Sequence, residues 1–69
     1  MADLDNDLKI RLLAKAIEVK SNSGDDIQKV CWMVVHEHHH GVMPSEYDIR
    51  PIDETLYLSV LESLKQELG

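Results

Sequence analysis

Apolar residues recur along this chain in three blocks of helical spacing, separated by stretches of glycine, proline and short polar side chains. In the first block Leu4, Leu8, Leu12, Ala16 and Val19 form one stripe and Ile10, Leu13 and Ile17 a second, while Asp7, Arg11, Lys15 and Glu18 share the remaining face. Side chains three and four residues apart lie on one side of an α-helix, so this spacing predicts a helix over residues 4–20 with two apolar sides. The stretch Ser21 to Asp26 reads as a turn, with Gly24 free to take a left-handed conformation and Ser23 or Asp25 placed to cap the next helix. Ser23 and Asp26 also have the spacing of a capping box, with Asp in place of Glu.

The second block predicts a helix from Asp26 to His40, stopped by Gly41. Its inward line is Ile27, Val30, Cys31, Val34 and Val35, continued by His38, whereas Trp32, His36 and His39 lie on a different face. The run Val30 to Val35 also suits a strand. Helical spacing and the preceding turn decide for the helix. Two prolines then bound the irregular stretch GVMPSEYDIRP, with room for one short turn at Pro44 to Tyr47. Asp53 is a good N-cap, and Ile52 can pack on Tyr57 as a hydrophobic staple. The third helix, Glu54 to Leu68, is expected to bury Leu56, Val60, Leu61, Leu64 and Leu68. Ser59, Glu62, Ser63 and Gln66 face outward, and Leu58 falls off the core stripe. The expected fold is therefore all-α: one three-helix domain over residues 1–69, made of a helical hairpin, an irregular proline-containing crossover and a third helix.

Composition adds a size constraint. A chain of 69 residues buries only about 60% of the surface its unfolded form exposes, so further burial by self-association is expected. The second stripe of the first helix, Ile10, Leu13 and Ile17, is the candidate homodimer interface. Phe is absent and the aromatics are Trp32, Tyr47 and Tyr57, which favours helix packing over a sandwich. Cys31 has no second cysteine to pair with and sits in an apolar run, as a buried small hydrophobe would. The start MADLDNDLK lacks a signal-peptide hydrophobic region, and no apolar stretch approaches the ~20 residues of a membrane span, so a cytoplasmic location is expected.

Charge then narrows the partners. Seven basic against thirteen acidic side chains give a formal charge of −6, which opposes the counterion release that drives binding to nucleic acid or anionic membranes. The imbalance is concentrated: through Val35 there are five basic and six acidic residues, and from His36 onward two and seven. The C-terminal half carries the acidic surface.

The candidate chemistry lies in His36, Glu37, His38, His39 and His40, a match to H-E-x-x-H. In that pattern two histidines one helical turn apart bind zinc and the glutamate activates the metal-bound water. These residues, with Glu62 in the place of a downstream glutamate ligand, resemble the zinc helix of the gluzincin metalloproteases. The resemblance implies His36 and His40 as ligands and Glu37 as general base. Helical geometry, however, puts Glu62 on the outward face opposite Leu56 and Val60, and the substrate-binding strand of that family has no counterpart here. A non-catalytic metal site would use His36, His39 and His40, at i, i+3 and i+4. The simpler reading places the histidines at a helix C-terminus, where they interact with the negative end of the dipole. Histidine also titrates near neutrality, so a pH response is a third reading. We expect no enzyme and no cofactor.

What remains is recognition. Trp32, Met33, Tyr47 and Leu58 are the apolar contact candidates, and Glu46, Asp48 and Glu62, among the acidic residues, the charged ones. A small, acidic, helical chain without catalytic motifs resembles the phage-encoded inhibitors that bind host regulators or motor ATPases, including antiactivators of transcription regulators. The resemblance implies a protein that inhibits a partner by covering a basic surface.

Overall fold

The computed structural model describes residues 6–68, and its elements are three helices, α1 (Asn6–Ser23), α2 (Ile27–His40) and α3 (Glu54–Leu68). No strand occurs among the described residues; the crossover holds one isolated antiparallel bridge, Ser45 with Asp48. Leu4, assigned to the first stripe, lies outside the described residues.

The helix ends follow from local chemistry. α1 runs through Ser21, Asn22 and Ser23, three residues past its expected end, because the stop is Gly24 rather than the polar run before it. Gly24 has φ 71° and its N–H donates to the Lys20 carbonyl at 2.9 Å. The next N-cap is Asp26, which makes no side-chain cap bond; the Ser23 hydroxyl instead accepts from the Asp25 N–H at 3.1 Å. The expected capping box is therefore not formed: Ser23 is the last residue of α1 and ties down the loop. α2 ends where expected, at left-handed Gly41 (φ 75°), whose N–H donates to the Glu37 carbonyl at 2.8 Å. At α3 the Asp53 carboxylate accepts from the N–H groups of Thr55 (2.9 Å) and Leu56 (3.3 Å), the N-cap arrangement the sequence predicts. Ile52 and Tyr57 are both half-buried against the core at this helix start.

Each helix packs on both others. The buried core takes Leu12 and Ala16 from α1, Val30, Cys31, Val34 and Val35 from α2, and Leu56, Val60, Leu61 and Leu64 from α3. This is why the β-branched run of α2 is helical: burying Val30, Cys31, Val34 and Val35 against two neighbours outweighs a weak strand propensity. Leu68, expected in the core, is 49% exposed, one turn beyond Leu64, which is the last buried position of α3. Ser59 and Ser63 are half-buried rather than outward.

Contact with two helices also accounts for the second stripe of α1. Leu13 and Ile17 are half-buried against the core, and only Ile10, 62% exposed, stands clear of it. Most of the candidate dimer stripe is thus used within the chain. Among the described residues no helix is long and apolar enough to cross a membrane.

Two aspartates that precede helices are expected to differ in worth. Asp53→Ala should cost about 1 kcal/mol and Asp26→Ala well under half of that, read as urea midpoints at constant slope. Asp53→Asn should restore most of the loss, because the amide oxygen can still accept.

Candidate functional site

The crossover, residues 41–53, returns over α2 and covers a face that no helix covers. Apolar periodicity puts His38 on the inward line and His36 elsewhere; the structure reverses them. His36 is fully buried and His38 is exposed. The reason is that the face bearing His36 is closed by non-helical backbone, which leaves no apolar periodicity to read. Its partners are main-chain groups: the Nδ1–H donates to the Val42 carbonyl at 2.7 Å, and Nε2 accepts the Arg50 N–H at 3.1 Å. Accepting at Nε2 requires a lone pair there, so the imidazole fits as the neutral Nδ1–H tautomer. His40, one turn on, donates from Nε2 to the Pro51 carbonyl at 2.7 Å.

Trp32, His36 and His40 stand at i, i+4 and i+8 and form a ladder of rings. The Trp32 and His36 centroids are 5.6 Å apart, and those of His36 and His40 are 4.9 Å apart in an edge-to-face arrangement. The two histidines that match H-E-x-x-H therefore face the crossover and hold its backbone. A metal on His36 would have to displace the Val42 carbonyl or the Arg50 N–H. His39 is exposed, Glu62 is exposed on α3, and no group of three or more His, Cys, Asp or Glu side chains among the described residues is placed to hold a metal ion.

Inside the crossover, Ser45 and Asp48 exchange two main-chain hydrogen bonds of 3.2 Å, closing a turn one residue later than Pro44 to Tyr47. Asp48 and Arg50 pair through two bonds, Nε to Oδ1 at 2.7 Å and Nη2 to Oδ2 at 3.1 Å. The hydrogen bond from Arg50 is the main reason the Asp48 carboxyl is held below its usual pKa, with the charge of Arg50 adding to it. A lowered carboxylate pKa means the pair contributes at neutral pH and is lost as pH falls through that lowered value.

Two clefts open beside Trp32. The larger, about 700 Å³, lies between Trp32, the crossover from Ile49 to Ile52, and Glu54, Tyr57 and Leu58 at the start of α3. The smaller, about 220 Å³, lies between Lys29, Trp32 and Met33 of α2 and Pro44, Ser45, Glu46 and Ile49. Trp32 and Ile49 line both. Of the recognition candidates, Trp32, Met33, Leu58 and Glu46 are brought together here. Tyr47 stands at the tip of the turn, 91% exposed, and lines neither cleft; Asp48 is engaged by Arg50, and Glu62 lies outside both clefts. Sequence reasoning missed Ile49, 64% exposed on the rim of both clefts. An isoleucine between charged residues in a proline-bounded linker was its only signal.

The thiol of Cys31 is buried in the core behind this face, and burial pushes its pKa from 9.0 to about 11. A raised thiol pKa favours the protonated folded state, so that stability is fully present below the unfolded pKa and declines as pH rises through the window from about 9 to 11. The urea midpoint of the native sequence should therefore fall more steeply over that window than that of Cys31→Ala. His36→Leu, which leaves the Arg50 N–H and Val42 carbonyl without their partner, should cost about 2–3 kcal/mol in the same assay, and His38→Leu under 0.5.

No curated protein and no solved structure matches the chain. The model of one family does match it, over residues 7–68, a span that takes in the three helices but for Asn6, the crossover, the histidine clamp and both clefts. The chain therefore belongs to the DUF8662 family, a domain of unknown function.

Proposed function

We propose that this chain is a small acidic binding protein that acts without catalysis and regulates, by covering it, a partner protein with a basic surface. A DNA-binding surface of a transcription regulator has the required chemistry, and occluding it would inhibit the partner. The docking site is the face that carries the two clefts.

The observation that carries this reading is the state of the four charged side chains lining those clefts. Both cations have a carboxylate beside them within the chain: Arg50 is hydrogen-bonded to Asp48 at 2.7 Å, and Lys29 forms a looser, exposed pair with Asp25 at 3.9 Å. The two carboxylates, Glu46 and Glu54, make no ion pair among the described residues. Ile49, 64% exposed, and the half-buried Trp32 line both clefts, and Leu58, 57% exposed, lines the larger one with Glu54. An apolar centre flanked by uncompensated negative charge is complementary to an apolar anchor set among lysines and arginines. The surplus of acidic residues from His36 onward extends the same field.

A fully desolvated anchor contact is worth about 2 kcal/mol or more, whereas flanking charges act mainly on association rate and salt dependence. Capture from the source cells should be run in parallel with the native sequence, Leu58→Asp, and the double variant Glu46→Lys, Glu54→Lys as baits. A basic protein retained by the native bait, at least tenfold depleted by Leu58→Asp and lost from the double variant at low salt is the expected result. Equal retention on all three baits, or retention of acidic proteins only, would overturn the proposal.

A further inference from the structure

We infer that His36 and His40 are positioning residues for this docking face: they hold the crossover wall of the larger cleft in place, and the face accepts its partner only while they do. The inference rests on the docking reading above.

Residues 49–52 form one wall of that cleft, yet they belong to no helix or strand. Among the described residues, segment 42–52 makes three hydrogen bonds to the helices, and all three come from two imidazoles. His36 binds the Val42 carbonyl near the start of the segment and the Arg50 N–H near its end, and His40 binds the Pro51 carbonyl. The remaining polar contacts of the segment are internal to it: the Ser45 and Asp48 exchange, the Tyr47 N–H on the Ser45 hydroxyl, and the Asp48 and Arg50 pair. Pro51 has no N–H, so its carbonyl is its one main-chain hook, and His40 takes it. Arg50 and Pro51 both line the cleft. The clamp therefore grips the wall at Arg50 and Pro51, residues that shape the site, next to Ile52, whose side chain packs against the three-helix core.

The two histidines have different chemical requirements. His40 needs only a donor aimed at a carbonyl. His36 needs a donor and an acceptor at once, which imidazole meets as its neutral tautomer. His36 is also fully buried, so its variants risk the fold; His40 is half-buried and is the safer probe.

The test compares the native sequence with His40→Phe, which keeps an aromatic ring but loses the donor, and His40→Gln, whose amide can still donate. Three readouts are needed: helix content by circular dichroism, exchange of the Arg50 amide by NMR, and binding of a defined probe. The probe is a synthetic 18-residue peptide of leucine and lysine with leucines at i, i+3 and i+4, a basic amphipathic helix, and its glutamate counterpart is the control. Trp32 is the sole tryptophan and lines both clefts, so its fluorescence reports binding directly.

With helix content unchanged, His40→Phe should speed Arg50 exchange and weaken the lysine peptide about five- to tenfold, the order expected for one lost hydrogen bond. His40→Gln should bind within about twofold of the native protein. The inference is overturned if His40→Phe binds the peptide as the native protein does, if Gln is as impaired as Phe, or if the native Arg50 amide exchanges at the rate of an unprotected one. If the native protein binds the glutamate peptide as well as the lysine peptide, or neither, the docking reading fails and the positioning role with it. The Arg50 exchange rates then still decide whether the clamp exists.

Discussion

The buried imidazole of His36 is the constraint on which the crossover, and the clefts it walls, depend. A crossover without regular structure cannot satisfy its own backbone, and main-chain groups buried without partners cost about 1–3 kcal/mol each. His36 meets a carbonyl from one end of the segment and an N–H from the other, at 2.7 and 3.1 Å, with no exposed surface of its own. One side chain thereby closes a loop that would otherwise need a sheet or a longer ladder of bonds. His40 repeats the contact at Pro51, and the ladder of tilted rings of Trp32, His36 and His40 joins this clamp to the rim of the clefts.

The same arrangement changes the meaning of the H-E-x-x-H match. Two histidines one turn apart share a helix face whether they meet a metal ion or a protein backbone, because i, i+4 spacing fixes only their direction. What they meet is decided by the neighbouring element. Here that element is a crossover whose carbonyls and amide engage the imidazoles, and the glutamate on the next helix turns to solvent. The residues that match a zinc helix become the fasteners of the crossover.

Burial and exposure divide the molecule into two parts with different tasks. The core draws on all three helices and needs only aliphatic side chains and Cys31. Outside it, Ile49, Leu58 and Tyr47 remain exposed on and around a face whose cations are paired and whose carboxylates Glu46 and Glu54 are not. For a domain this small, surface left apolar at one place is large relative to the core that holds the fold. That proportion is what the proposed docking role draws on.

The sequence by itself determined the three helices and most of their ends, since these rest on interactions within a few residues: apolar spacing, Gly41 at a left-handed stop, and Asp53 bonding to the N–H groups of the next turn. Of the contact candidates it named, Trp32, Met33, Leu58 and Glu46 line the clefts and Tyr47, Asp48 and Glu62 do not. Only the tertiary structure decided that His36 is inside and His38 outside, that Leu13 and Ile17 serve the core, and that Ile49 stands beside Trp32. Each of those depends on where the crossover or a second helix lies, contacts distant in sequence that leave no periodic pattern in the segment itself. A helical pattern reveals which side of a helix is apolar; it cannot reveal a polar face that is buried because a loop folds back and hydrogen-bonds to it.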